Sequence, residues 1–121
     1  MAQCDQGYLC RICGEEVEDI VDSELYLQYV IGWIDPETLH TTRECHLRCN
    51  PTFSQFIEDH RFHPPVTAQE EWSKKNLDPE FVAERTALVS RGYSRLWEIF
   101  NDEDPPPVTE YPLPEIRSKW R

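Results

Sequence analysis

The chain has 121 residues, of which 39% are apolar, and a formal net charge of −11. That length is about one domain, and no stretch reaches the roughly 18 uncharged apolar residues a membrane span requires. So acidic a balance argues against nucleic acid as a partner, because phosphate binding needs a concentrated basic surface.

Residues 1–60 carry twelve acids and three bases, and residues 15–24 hold six of those acids and no base. Such a run is expected to be a solvated face. A surface for cations or a basic partner is the sharper alternative. The segment 24–33 follows, rich in β-branched and aromatic residues. Leu25, Leu27, Tyr29, Ile31 and Trp33 share one face at period two, which predicts a strand. Asp35-Pro36-Glu37 reads as a turn and residues 38–42 as the return strand of a β-hairpin.

Asn50-Pro51 predicts a helix start, with Phe53, Phe56 and Ile57 on one face to about His60, which is expected to cap its end. Thr67 and Glu70 fit a capping box for a short helix. Asp78-Pro79 repeats the N-cap-plus-Pro signal and opens the longest element, residues 79–101. Its expected apolar stripe runs through Phe81, Val82, Val89, Tyr93, Leu96, Trp97 and Phe100. Gly92 interrupts it, which calls for a close packing contact or a bend. Beyond Asn101, five prolines predict an extended tail, with Tyr111, Leu113 and Trp120 as anchors for docking on the domain or on a partner.

All five cysteines lie in the first half. An odd count with no visible secretory signal favours metal binding by reduced thiols inside the cell, in the cytoplasm, over a disulfide framework. Cys10-x2-Cys13 is followed, after 32 intervening residues, by His46-x2-Cys49. Zinc takes four nitrogen or sulfur ligands in a tetrahedron, and a two-residue gap lets one tight turn present two of them. Cys45 adjoins His46, so an all-cysteine set with Cys45 in place of His46 stays open. Four protein ligands leave no position for a substrate water, which makes one Zn2+ per chain structural.

The order of knuckle, hairpin and helix, with the last ligands at the helix start, resembles the treble-clef zinc fingers. The spacing is similar to one half of a LIM-type module. The resemblance covers residues 8–60. It implies an α+β fold: a zinc-binding module over 1–63, a helical segment over 64–101 packing on it, and an extended Pro-rich tail over 102–121. Treble clefs host many functions, so the resemblance speaks for metal and fold type rather than activity.

Three functions remain open at this point. The favoured one is a non-enzymatic zinc-stabilised module that binds a protein partner. A second is a metal-dependent hydrolase related to HNH nucleases, using Asp59, His60 and His63, although that Asp-His pair follows the second ligand pair instead of lying between the two. The third is a nucleic-acid-binding finger with Lys74, Lys75, Arg85, Arg91 and Arg95 as its basic strip. A homodimer through the 79–101 helix would bury any excess apolar stripe. His40 is expected to be structural, and Cys4 a spare thiol.

Overall fold

The computed structural model describes residues 9–39, 41–62, 73 and 76–119. Helices dominate: α1 (Glu24–Val30), α2 (Pro36–Leu39), α3 (Pro51–Ser54), α4 (Pro79–Asn101) and α5 (Pro114–Lys119). Short 3-10 turns occupy Ile20–Asp22, Leu47–Cys49 and Val108–Glu110. Among the described residues there is no sheet, and β pairing is limited to the isolated bridges Leu9–Glu16 and Ser23–His46. The expected α+β module with its β-hairpin is therefore wrong. Its capping-box helix at Thr67–Glu70 falls outside the described residues.

The would-be first strand is α1 because both of its ends carry helix signals that outweigh the period-two pattern. The Ser23 hydroxyl accepts from the Tyr26 N–H at 3.0 Å and caps the N-terminus. At the other end Gly32 sits at φ +88°. Its N–H donates to the Tyr29 carbonyl, and the Trp33 N–H to the Gln28 carbonyl at 2.9 Å, which is the Schellman arrangement. Leu25, Leu27, Tyr29, Val30 and Ile31 are all buried, so the helix is covered on more than one side. α2 instead spans most of the expected turn and the start of the expected return strand, and its Leu39 packs with Leu25, Tyr29 and Ile34.

α4 forms as predicted, with the Asp78 carboxylate accepting from the Phe81 N–H at 3.0 Å. Its buried face is Val89, Gly92, Tyr93, Leu96 and Ile99, while Phe81 and Phe100 at its ends are exposed. Gly92 marks where α1 crosses α4. A Cβ there would lie 2.4 Å from Ile31 Cγ2 and 2.8 Å from Leu27 Cδ1. α3 is shorter than expected. After Ser54 the chain tightens into i→i−3 bonds, so His60 lies well beyond the helix end instead of capping it.

The C-terminal segment is not an extended tail. Leu113 and Ile116 enter the main core beside Leu27, Val30, Val89 and Leu96. The Leu113 N–H donates to the Val30 carbonyl, and the Tyr29 hydroxyl to the Val108 carbonyl, both at 3.1 Å. Arg95 of α4 donates to the carbonyls of Tyr111 and Glu110 at 3.0 and 2.8 Å. Arg91 pairs with Glu115, and Arg117 with Glu110. Trp120 falls outside the described residues. None of the described helices is long and apolar enough to cross a membrane.

Candidate metal centre

Residues 9–16 form a tight loop closed by the Leu9–Glu16 bridge. The Cys10 N–H donates to the Glu15 carbonyl at 2.8 Å, and the Gly14 N–H to the Cys10 carbonyl at 2.9 Å. Two sets of bonds dock this loop on residues 44–49. The Arg11 N–H donates to the Glu44 carbonyl at 2.9 Å, and the His46 N–H reaches Cys10 Sγ at 3.3 Å. The start of α1 binds the same stretch through the Ser23–His46 bridge and the Glu24 N–H to Cys45 carbonyl bond. The loop, α1 and the 3-10 turn Leu47–Cys49 thus meet at one point.

Cys10, Cys13, His46 and Cys49 converge there, their ligand atoms all within 4.8 Å of one another. His46 Nδ1 lies 3.3 Å from Cys13 Sγ and 3.8 Å from Cys49 Sγ. These distances bracket the about 3.6 Å between a nitrogen and a sulfur ligand on a tetrahedral zinc. On the far side of the ring, Nε2 lies 2.9 Å from the Glu16 carbonyl oxygen. A carbonyl only accepts, so Nε2 carries the proton and Nδ1 presents its lone pair to the three sulfurs. Cys10 and His46 are buried, Cys49 is half-buried and Cys13 faces solvent. Three soft thiols and one oriented imidazole nitrogen suit zinc, with no donor place left open.

The thiols differ in electrostatics. Burial pushes Cys10 up, but N–H groups of Cys13, His46 and Ile12, with the His46 side chain, outweigh it and hold the thiol at about 5. Cys49 goes the other way, pushed up to about 12 by burial and by the neighbouring Cys13 and Cys10 sulfurs. One thiolate forms readily and opposes the next, a conflict that a divalent cation at the centre removes.

Cys45, the alternative to His46, is not in this group. It is buried with Cys10 and Val17, its Sγ–H donating to the His46 carbonyl at 3.4 Å. Burial and the Glu24 carboxylate push its thiol far up, which keeps it a neutral packing group.

Two buried carboxylates support the junction: Glu24, at the end of the acidic run whose Glu15, Glu16, Glu18 and Asp19 are exposed as expected, and Glu44, which lies outside that run. Glu24 accepts from Asn50 at 2.8 Å and Gln28 at 3.1 Å and lies 3.6 Å from the Arg11 guanidinium. Glu44 accepts from the Ser23 hydroxyl at 2.7 Å. Sequence patterning gave no sign of either role. Ser23 as a helix cap was the available clue.

The other sequence candidates are occupied elsewhere. Asp59 is held by Arg61 at 2.7 and 2.9 Å, and His60 is exposed, 3.7 Å from the same carboxylate. His63, His40, Lys74, Lys75 and Cys4 fall outside the described residues. Arg85 stacks over Trp33 at 4.5 Å and Phe81 at 4.6 Å, while Arg91 and Arg95 clasp the C-terminal segment. In comparisons with known proteins, the chain matches no family model, no curated protein and no solved structure.

Proposed function

We propose that the protein is a non-enzymatic interaction module of the reducing cytoplasm, in which one structural zinc ion ties residues 9–16 to the helical core. The observation carrying this reading is the convergence of Cys10, Cys13, His46 and Cys49 on one point, with His46 turned by Glu16 to face the sulfurs. A closed set of four ligands leaves no open position for a reacting water, so the metal contributes folding energy instead of chemistry.

The described cysteines are free thiols, in keeping with a reducing compartment. Binding of a protein partner is supported by the surface. Trp33 and Phe81 remain exposed around the stacked Arg85, and tryptophan and arginine are the side chains that most often anchor interfaces. Tyr111 and Leu113 serve the protein's own fold, so this helical face takes the place of the tail as the docking surface.

Chelation tests the structural role. On this reading, removing the metal from folded protein abolishes its cooperative thermal unfolding, and zinc restores it. A chain that keeps the same transition without metal would contradict the proposal.

A further inference from the structure

The two buried carboxylates at the junction are treated differently by their surroundings. Glu24, 6% exposed, has a guanidinium and two amides around it. Glu44, 4% exposed, has the Ser23 hydroxyl and the Cys45 N–H, but no ion pair with any basic group among the described residues. A buried carboxylate is ordinarily paired with a cation or bound to a metal. Glu44 is not enclosed. It lines a cleft of about 220 Å³ with Glu18, Asp19, Ser23, Tyr26 and Tyr111. Glu18 and Asp19 are exposed at its rim, and the two tyrosine rings stand 6.1 Å apart at 57°.

We infer that this cleft receives a cationic side chain, a lysine or arginine of a partner protein. Its charged head meets Glu44 and Asp19 while its aliphatic stem lies against Tyr26 and Tyr111. Each part of the cleft has a role in that fit. The carboxylates supply a charge that no basic group among the described residues pairs, and aromatic faces attract both the stem and the cation. A small inorganic cation would use the carboxylates alone, whereas a side chain with an aliphatic stem also covers the ring surface that Tyr26 and Tyr111 turn to the cleft. The net charge of −11 steers basic partners toward the molecule as a whole. The inference deepens the interaction-module reading and rests on it for the partner's being a protein.

The test is an NMR titration of the full chain with a short capped peptide carrying one lysine between alanines. The same peptide with arginine, and with uncharged norleucine, completes the set. Saturable shifts confined to Ser23, Tyr26, Glu44 and Tyr111 are expected with lysine or arginine and absent with norleucine. Glu44→Gln should weaken binding at least about tenfold. Asp19→Asn, at an exposed site, provides the same test should the first variant fold poorly.

Shifts that extend to Glu37 and Glu103, fail to saturate, and vanish in about 150 mM salt would reveal only a diffuse field and overturn the inference. So would equal binding by the variants, or displacement of the peptide by equimolar Mg2+. Zinc is counted on every sample. Binding lost with zinc retained separates a failure here from a failure of the metal centre.

Discussion

The imidazole of His46 donates from Nε2 to the Glu16 carbonyl at 2.9 Å, and this one bond decides which ring nitrogen faces the cysteines. It also links the second ligand pair to the end of the loop that carries the first. The Cys10, Cys13, His46 and Cys49 cluster is thus a junction between segments distant in sequence, and it separates cleanly from the neighbouring Cys45 thiol.

Cys45 and Cys49 should respond oppositely to substitution. Cys49→Ala is expected to lose the metal and most of the folded population. Cys45→Ala should keep one zinc and lose about 1 kcal/mol, the order of one buried methylene-sized group. Metal analysis of the two purified variants, with urea unfolding of the second, distinguishes them.

Gly92→Ala should destabilise, against the usual preference of helices for alanine. Intrinsic propensity favours the change by about 1 kcal/mol. The added methyl, however, meets Ile31 Cγ2 at 2.4 Å and Leu27 Cδ1 at 2.8 Å, and forcing α1 from α4 costs typically about 1–3 kcal/mol. The expected outcome in urea titration is a lower midpoint. A raised midpoint would mean that the two helices are not packed this closely.

The C-terminal segment should behave as part of the core. Leu113→Ala removes a side chain that is 5% exposed and should cost about 2–5 kcal/mol. Truncation after Asp104 also removes Ile116 and the Glu110 and Tyr111 carbonyls that accept from Arg95, so its melting temperature should fall further still. An unchanged melting temperature after truncation would identify the segment as a partner-binding tail.

Asp59 gives a pH dependence of definite sign. The Arg61 side chain holds its carboxyl down at about 2, below the ordinary 3.8. A depressed folded-state value means stability that is full above about pH 4 and lost as pH falls toward 2. The gap in stability between the native chain and Asp59→Asn should therefore be constant near neutral pH and close within that window. A gap that persists below the window would show that the pair contributes no proton-linked stability.

The Cys/His cluster and the long helix were legible because each rests on a short-range signal. Two-residue gaps mark Cys10, Cys13, His46 and Cys49, and Asp78-Pro79 marks the start of α4. The segment 24–33 was misread because a short apolar run satisfies period two and helical spacing alike. The deciding features were Ser23 just before it and Gly32 near its end, one residue each. The tail was misread for a related reason. Five prolines predict an extended chain, yet Pro114 begins α5 at the first helical position, where its missing N–H costs nothing. Neither Glu24, inside the acidic run, nor Glu44, outside it, could be picked out by pattern, since their burial depends on Arg11, Asn50 and Ser23 meeting them in space.

The central claim is the closed four-ligand centre, and the most direct measurement is zinc K-edge absorption on purified protein of known metal content. One zinc per chain with a shell of three sulfurs and one nitrogen is the expected result. A shell of four sulfurs would put Cys45 in place of His46. Absence of metal, or a shell with an oxygen ligand in an open position, would contradict the structural centre itself.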